Sequence, residues 1–195
     1  MNEIFRLQWD LNVHTLAKIG LDYAHTIADP QGKLTWIENY RKALSAELAE
    51  LVREVQQLGV GTQNGKIELV DMLHFLVSLS HILAVHPEEA LPAQDNREEM
   101  SFDSLALRIF LALDDLQNSL KWKWWAKGGG FRENSARAAV MDLWKCFHEA
   151  CWIFGLDFAK VKEIYVAKNR VNFRRQEQGY SEDTKSEDDN RFIRV

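Results

Sequence analysis

Only three prolines, Pro30, Pro87 and Pro92, occur in the 195 residues, and the glycines gather at 59–65 and 128–130 instead of punctuating short strands. A chain so poor in breakers can carry long uninterrupted helices. Between the breakers, apolar residues return at intervals of three and four: Leu44, Leu48, Leu51, Val52 and Val55 form one stripe, and Leu69, Leu73, Leu76 and Leu83 form another. That spacing is the signature of an amphipathic helix, and no stretch alternates at the period of two that a half-buried strand needs. The pattern predicts helices over 3–27, 34–58, 64–85, 101–122, 132–154 and 157–178, an all-α fold with one helical domain over 1–180. Residues 181–195 read differently: Ser181 to Asn190 is polar and acidic without periodicity, and Phe192, Ile193 and Val195 follow. The expectation there is an extended tail, ordered when a ligand is bound.

Charge narrows the function classes. Lys and Arg total 24 against 29 Asp and Glu, a formal net charge of −5. Such a chain lacks the broad basic surface that phosphate neutralisation on nucleic acid requires. The start, MNEIFRLQWDLNVHT, has charges breaking every short apolar run, unlike a secretory signal. The longest apolar stretch, 70–85, is interrupted by Asp71, His74, Ser78, Ser80 and His81, so no membrane span is expected. Cys146 and Cys151 stand five apart among Trp144, Phe147, Ile153 and Phe154, which suits core thiols, neither a disulfide framework nor a metal pair. A cytoplasmic location is the expectation.

The segment Leu44 to Phe75 can be laid beside Leu111 to Phe147: each is an acidic helix, a glycine-containing loop and a second acidic helix. Glu50 then aligns with Asp115 and Asp71 with Asp142, while Glu47 and Glu68 fall opposite Ala112 and Ala139. A duplicated helical hairpin that lost acids in one copy accounts for this, and two unrelated amphipathic hairpins remain the alternative.

Glu47 and Glu50 stand at i and i+3, and Glu68 and Asp71 repeat the spacing. Residues three apart share a helix face, and both pairs interrupt apolar stripes, so they border a helix contact. Two antiparallel helices joined through 59–65 bring four carboxylates together, where repulsion is costly unless a cation occupies the centre. Oxygen-only ligands suit magnesium, with manganese as a substitute; magnesium commonly completes its shell with water and substrate phosphates. A di-iron bundle would want Glu-x-x-His on two helices, whereas Glu68 is followed at i+3 by Asp71 and His74 is offset. The alternative for either pair alone is a solvated helix face paired with Arg53 or Lys42. His74 is a candidate to line a substrate pocket, with a hydrogen-bonded structural histidine as the alternative.

Near the end runs YVAKNRVNFRRQEQGY, in which Lys168, Asn172 and Arg175 recur at four and three. One face then carries an ammonium, an amide and a guanidinium in line, which suits a chain of phosphates. A basic last turn favoured by the helix macrodipole is the bland alternative, but asparagines are mediocre helix formers and their presence asks for partners.

Taken in order, Gln8-x-x-x-Asn12, Glu47-x-x-Glu50, NGKIELVDMLHF (64–75), KNRVNFRRQEQGY (168–180) and the terminal EDDN (187–190) resemble the all-α dimeric dUTPases, relatives of the MazG-like nucleotide pyrophosphohydrolases. The resemblance implies a helical bundle of that type, a homodimer, and magnesium-dependent hydrolysis of dUTP, and also dUDP, to dUMP. It implies Glu47, Glu50, Glu68 and Asp71 as metal carboxylates, with Glu47 or Glu50 activating water. Gln8 and Asn12 would read the base with His74 near the nucleoside. Lys168, Asn172, Arg175 and Tyr180 would bind phosphates, Asn169 would support them, and the EDDN tail would order over the site.

One departure stands out. The family carries a Lys-Trp-Trp-Lys string after the first acidic helix, where this chain has QQLGVGTQNG (56–65); KWKWWAK (121–127) lies in the second hairpin instead. Either Trp122, Trp124 or Trp125 serves the pocket differently, or the first hairpin has lost a wall. The cluster could equally be a hydrophobic plug or a dimer contact. The rival functions are a pyrophosphohydrolase with another base preference, such as dCTP, and a non-catalytic nucleotide-binding regulator.

Overall fold

The structure is a computed structural model, and it describes residues 1–92, 100–177 and 179. Among the described residues seven helices follow one another: α1 (Asn2–Lys18), α2 (Tyr23–Ala28), α3 (Pro30–Leu58), α4 (Gln63–Ile82), α5 (Phe102–Ser119), α6 (Glu133–Ile153) and α7 (Phe158–Glu177). Among the described residues there is no strand. The all-α expectation holds, and most helix bounds fall within a few residues of the predicted ones.

The exception is the first helix, which does not run through to residue 27. It stops at Lys18 because Gly20, at φ +77°, turns the backbone left-handed. The Gly20 amide donates to the Ala17 carbonyl and the Leu21 amide reaches back to Leu16, which closes the last carbonyls of α1. Asp22 then restarts the helix by accepting from the His25 amide at 2.7 Å. Periodicity continued across this corner because Tyr23, like Leu16, is buried.

Side-chain caps open the next two helices. Asp29 accepts from the Gly32 amide at 2.7 Å with Pro30 in the first turn of α3. Thr62 accepts from the Gly65 amide at 3.0 Å and opens α4, while donating to Glu54 near the end of α3 at 2.7 Å. With Gly59 and Gly61 both at positive φ, this makes a tight α3–α4 hairpin.

Helix α4 is apolar nearly all round: Leu69, Val70, Leu73, Val77 and Leu79 are fully buried. A helix buried on nearly every side belongs at the centre. It packs on α3, α6, α1 and α7, while α3 also meets α5 and α5 packs on α6. The hairpins α3–α4 and α5–α6 therefore face each other as a four-helix unit, and α1 with α7 closes the remaining side of α4. Trp144 anchors the seam, its indole donating to Ser80 Oγ at 2.9 Å. Arg137 of α6 ties down the far end of α4 by donating to the carbonyls of Leu83 and Ala84 and pairing with Glu89. Cys146 and Cys151 are unbonded to each other and buried, and burial pushes the Cys151 thiol up to about 12, so neither is a ready nucleophile.

Candidate active site

A cavity of about 250 Å³ opens where α1, α3, α4 and α7 converge. Each helix contributes by its register. On α3, Leu44, Leu48 and Leu51 are buried against the core, so Glu47 and Glu50 come to the edge of that stripe facing α4. On α4, Glu68 and Asp71 lie one turn apart on the same cavity wall. Carboxylate oxygens of Glu47, Glu50 and Glu68 lie within 4.8 Å of one another.

That spacing fits a hard divalent cation. Ligand oxygens at opposite corners of a magnesium octahedron are about 4.2 Å apart, so small side-chain adjustments suffice. At an effective dielectric near 20, each pair of these negative charges repels by roughly 3–4 kcal/mol, a cost that a cation turns into attraction.

Asp71 is placed differently from the other three acids. Its Oδ2 accepts from Lys168 Nζ at 2.7 Å, and the Lys168 side chain is almost wholly buried. The fourth carboxylate therefore adjoins the cluster while pairing with α7. Asn172, Arg175 and Gln176 continue that α7 wall into the cavity. Asn169, one residue after Lys168, points elsewhere: its amide donates to the Leu7 carbonyl at 3.3 Å and fastens α7 to α1. Tyr180 and the EDDN tail (187–190) lie outside the described residues.

Gln8, Asn12 and His74 are also brought together on the cavity lining, all buried. Gln8 Nε2 donates to Asn12 Oδ1 at 2.8 Å, and Gln8 Oε1 lies 2.7 Å from His74 Nδ1 and accepts from the Tyr165 hydroxyl at 2.6 Å. Tyr165 also stacks on the His74 ring at 4.2 Å. Among the described residues His74 Nε2 has no hydrogen-bond partner. Burial first, and Lys168 second, bring His74 down to about 3, so the imidazole is neutral at physiological pH.

His81, packed between Phe5 and Trp9, is likewise brought down to about 4 by burial. Both histidines bind protons more readily in the unfolded chain, near pH 6.5, than in the fold. Stability is therefore full above that value and falls as acid is added, by about 1.4 kcal/mol per pH unit for each histidine until the folded value is reached. Urea midpoints measured between pH 7 and pH 4.5 are expected to fall more steeply in the wild type than in His81→Phe; equal slopes would remove His81 from this account.

The aromatic wall comes from residues that the sequence did not single out. Trp36 and Tyr40 of α3 line the cavity with Phe75 of α4, their rings in series at 5.3 and 6.3 Å. Trp36 precedes Glu47 by eleven residues, three helical turns on the same face, and that register was the available signal. The first hairpin thus has an aromatic wall from the opposite end of α3. Trp122, Trp124 and Trp125 are exposed in the α5–α6 connection and do not line this cavity.

An acidic cluster, an α7 wall bearing a guanidinium, an ammonium and amides, and a buried amide pair beside aromatic rings share one cavity among the helices. The family model described as dUTPase matches residues 1–180, and the chain belongs to that family. Its activity is therefore that of a dUTP diphosphatase, an activity that in this family generally depends on metal. No curated protein and no solved structure matches the chain. No helix among the described residues is long and apolar enough to cross a membrane.

Proposed function

We propose that this dUTPase converts dUTP, and also dUDP, to dUMP with magnesium as the working ion and manganese able to replace it. The observation that carries the reading is the convergence of Glu47, Glu50 and Glu68 within 4.8 Å on a cavity whose facing wall holds Lys168, Asn172 and Arg175. Among the described residues four carboxylates against two cationic side chains make the cavity lining net negative. A polyphosphate cannot enter such a field unless cations come with it.

Glu47, Glu50 and Glu68 would hold the metal, and Asp71 adjoins them. When bound, the metal supplies charge neutralisation on the phosphate oxygens and an acidified water. Glu47 takes a proton from the attacking water, whose oxygen forms the new bond to phosphorus while the bridging P–O bond breaks, giving dUMP with pyrophosphate from dUTP or with phosphate from dUDP. Arg175 and Lys168 meet the negative charge that accumulates on the phosphoryl oxygens, and Asn172 orients them. Gln8 and Asn12 read the base, Trp36, Tyr40 and Phe75 flank it, and His74 faces the nucleoside.

The domain is read as 1–180; the tail at 181–195 lies outside the described residues. The two buried thiols suit a reducing cytoplasm. A homodimer is supported by the outward face of α5, where Leu107, Phe110 and Leu111 are all about three-fifths exposed.

The test is product release from dUTP, dUDP, dCTP and dTTP, each with magnesium and with a chelator. Expected are dUMP from both uracil nucleotides, little turnover of dCTP, and loss of activity on chelation. Turnover that survives chelation would sink the metal assignment, and a preference for dCTP would replace the base assignment.

A further inference from the structure

Ser78 of α4 is fully buried behind the cavity and is not among the residues lining it. Its hydroxyl has one hydrogen to give. That hydrogen goes to the His74 carbonyl one turn back, at 2.9 Å, as buried helical serines do, since the competing Asn12 Oδ1 is 3.4 Å away. The lone pairs of Ser78 Oγ are then left for donors.

The consequences propagate in one direction. An amide's oxygen and nitrogen are distinguished by their partners. Facing an acceptor at Ser78, Asn12 must present its nitrogen, which donates to Ser78 Oγ and to the Tyr23 hydroxyl, both at 3.0 Å. Asn12 Oδ1 therefore faces Gln8, which must offer its own nitrogen at 2.8 Å. Gln8 Oε1 is thereby turned toward His74 Nδ1 and Tyr165, which must both donate. His74 is left as the Nδ1–H tautomer with Nε2 a bare acceptor.

Among the described residues two valences remain on side chains that line the cavity: the second hydrogen of Gln8 Nε2 and a lone pair of Asn12 Oδ1. A donor beside an acceptor complements a keto oxygen beside a ring N–H. With the sugar and phosphates held at the far end, an amino pyrimidine in the same pose would set its N–H₂ against the Gln8 donor and its bare ring nitrogen against the Asn12 oxygen. Were both amides turned over, the preference would reverse. The same donor and acceptor fit uracil and thymine equally, so exclusion of a 5-methyl group falls to the shape of the wall.

We propose that the Ser78 hydroxyl fixes the polarity of the Gln8–Asn12 amide pair through this one-way hydrogen-bond chain, and is thereby a positioning residue that selects 4-keto over 4-amino pyrimidine nucleotides. The inference rests on the reading above that Gln8 and Asn12 meet the base.

Two measurements test it. The ratio of kcat/KM for dUTP to that for dCTP is expected to fall about tenfold or more in Ser78→Ala, because buried polar mismatch is what rejects the wrong base. Tyr165→Phe, which removes one of the two donors on Gln8 Oε1, is expected to lower the ratio by less. Nitrogen NMR of His74 in the ligand-free protein is expected to report the Nδ1–H tautomer in wild type and a mixture in Ser78→Ala. An unchanged ratio in folded Ser78→Ala, or an Nε2–H tautomer in wild type, overturns the proposal. A wild type indifferent to dUTP and dCTP overturns the selectivity, and the tautomer then shows whether the base assignment or the chain itself was at fault.

Discussion

Glu47→Gln is expected to lower kcat for dUTP by a factor of about 10³, within the range of roughly 10²–10⁴ that a positioned general base contributes. The side chain sits with Glu50 and Glu68 inside 4.8 Å, and glutamine keeps its shape and one carbonyl oxygen while losing basicity. The fold should hardly register the change, since Glu47 is only half-buried and Leu44, Leu48 and Leu51 carry the packing of α3. KM should therefore move much less than kcat, the mark of an interaction made mainly in the transition state. Steady-state assays at saturating magnesium decide the matter, with Glu50→Gln run in parallel. If Glu47→Gln keeps kcat within threefold while Glu50→Gln abolishes it, the water is activated from Glu50 instead. If neither matters, the acids hold no reacting water.

Lys168→Met is expected to be the most destabilising of the site substitutions, costing about 3 kcal/mol or more. The ammonium lies 2.7 Å from Asp71, with 3% of its side chain exposed against 14% for Asp71. Removing the ammonium takes a close cation from a carboxylate beside Glu68, and breaking a buried pair from one side costs roughly 3–5 kcal/mol. With an m value near 2 kcal/mol/M, the urea midpoint should drop by about 1.5 M. Asp71→Asn combined with Lys168→Met should recover much of that loss, because replacing both members of a buried pair is often nearly neutral. Activity should stay low in the double variant, which lacks the cation that meets the phosphates. A midpoint within 0.3 M of wild type for Lys168→Met, about a fifth of the expected drop, would show that Asp71 does not depend on this ammonium.

These two outcomes separate groups that look alike in the sequence. Glu47 and Asp71 both belong to acid pairs spaced at three, yet one joins a three-carboxylate cluster and the other is bound to α7. Lys168 and Asn169 are neighbours, yet one turns into the cavity and the other fastens α7 to the Leu7 carbonyl. A helix advances about 100° per residue, so adjacent side chains face different surroundings, and which surroundings those are depends on the helices packed alongside.

The sequence by itself determined the helical class, because breaker placement and apolar spacing act over a few residues and need no partner to be read. It likewise determined that α3 and α4 form a hairpin with acids along its inner edge, since glycine backbone freedom at 59–61 and the periods of both helices are local properties. It missed the corner at Gly20, where burial of Tyr23 continues the apolar pattern across a true helix end. Only the tertiary structure decided that Trp36 supplies the aromatic wall while Trp122, Trp124 and Trp125 stay exposed. Only there, too, could Ser78, sixty-six residues from Asn12, govern which atom of that amide meets a ligand. Hydrogen-bond direction is a property of neighbours in space, and those neighbours come from helices that the chain joins only by folding.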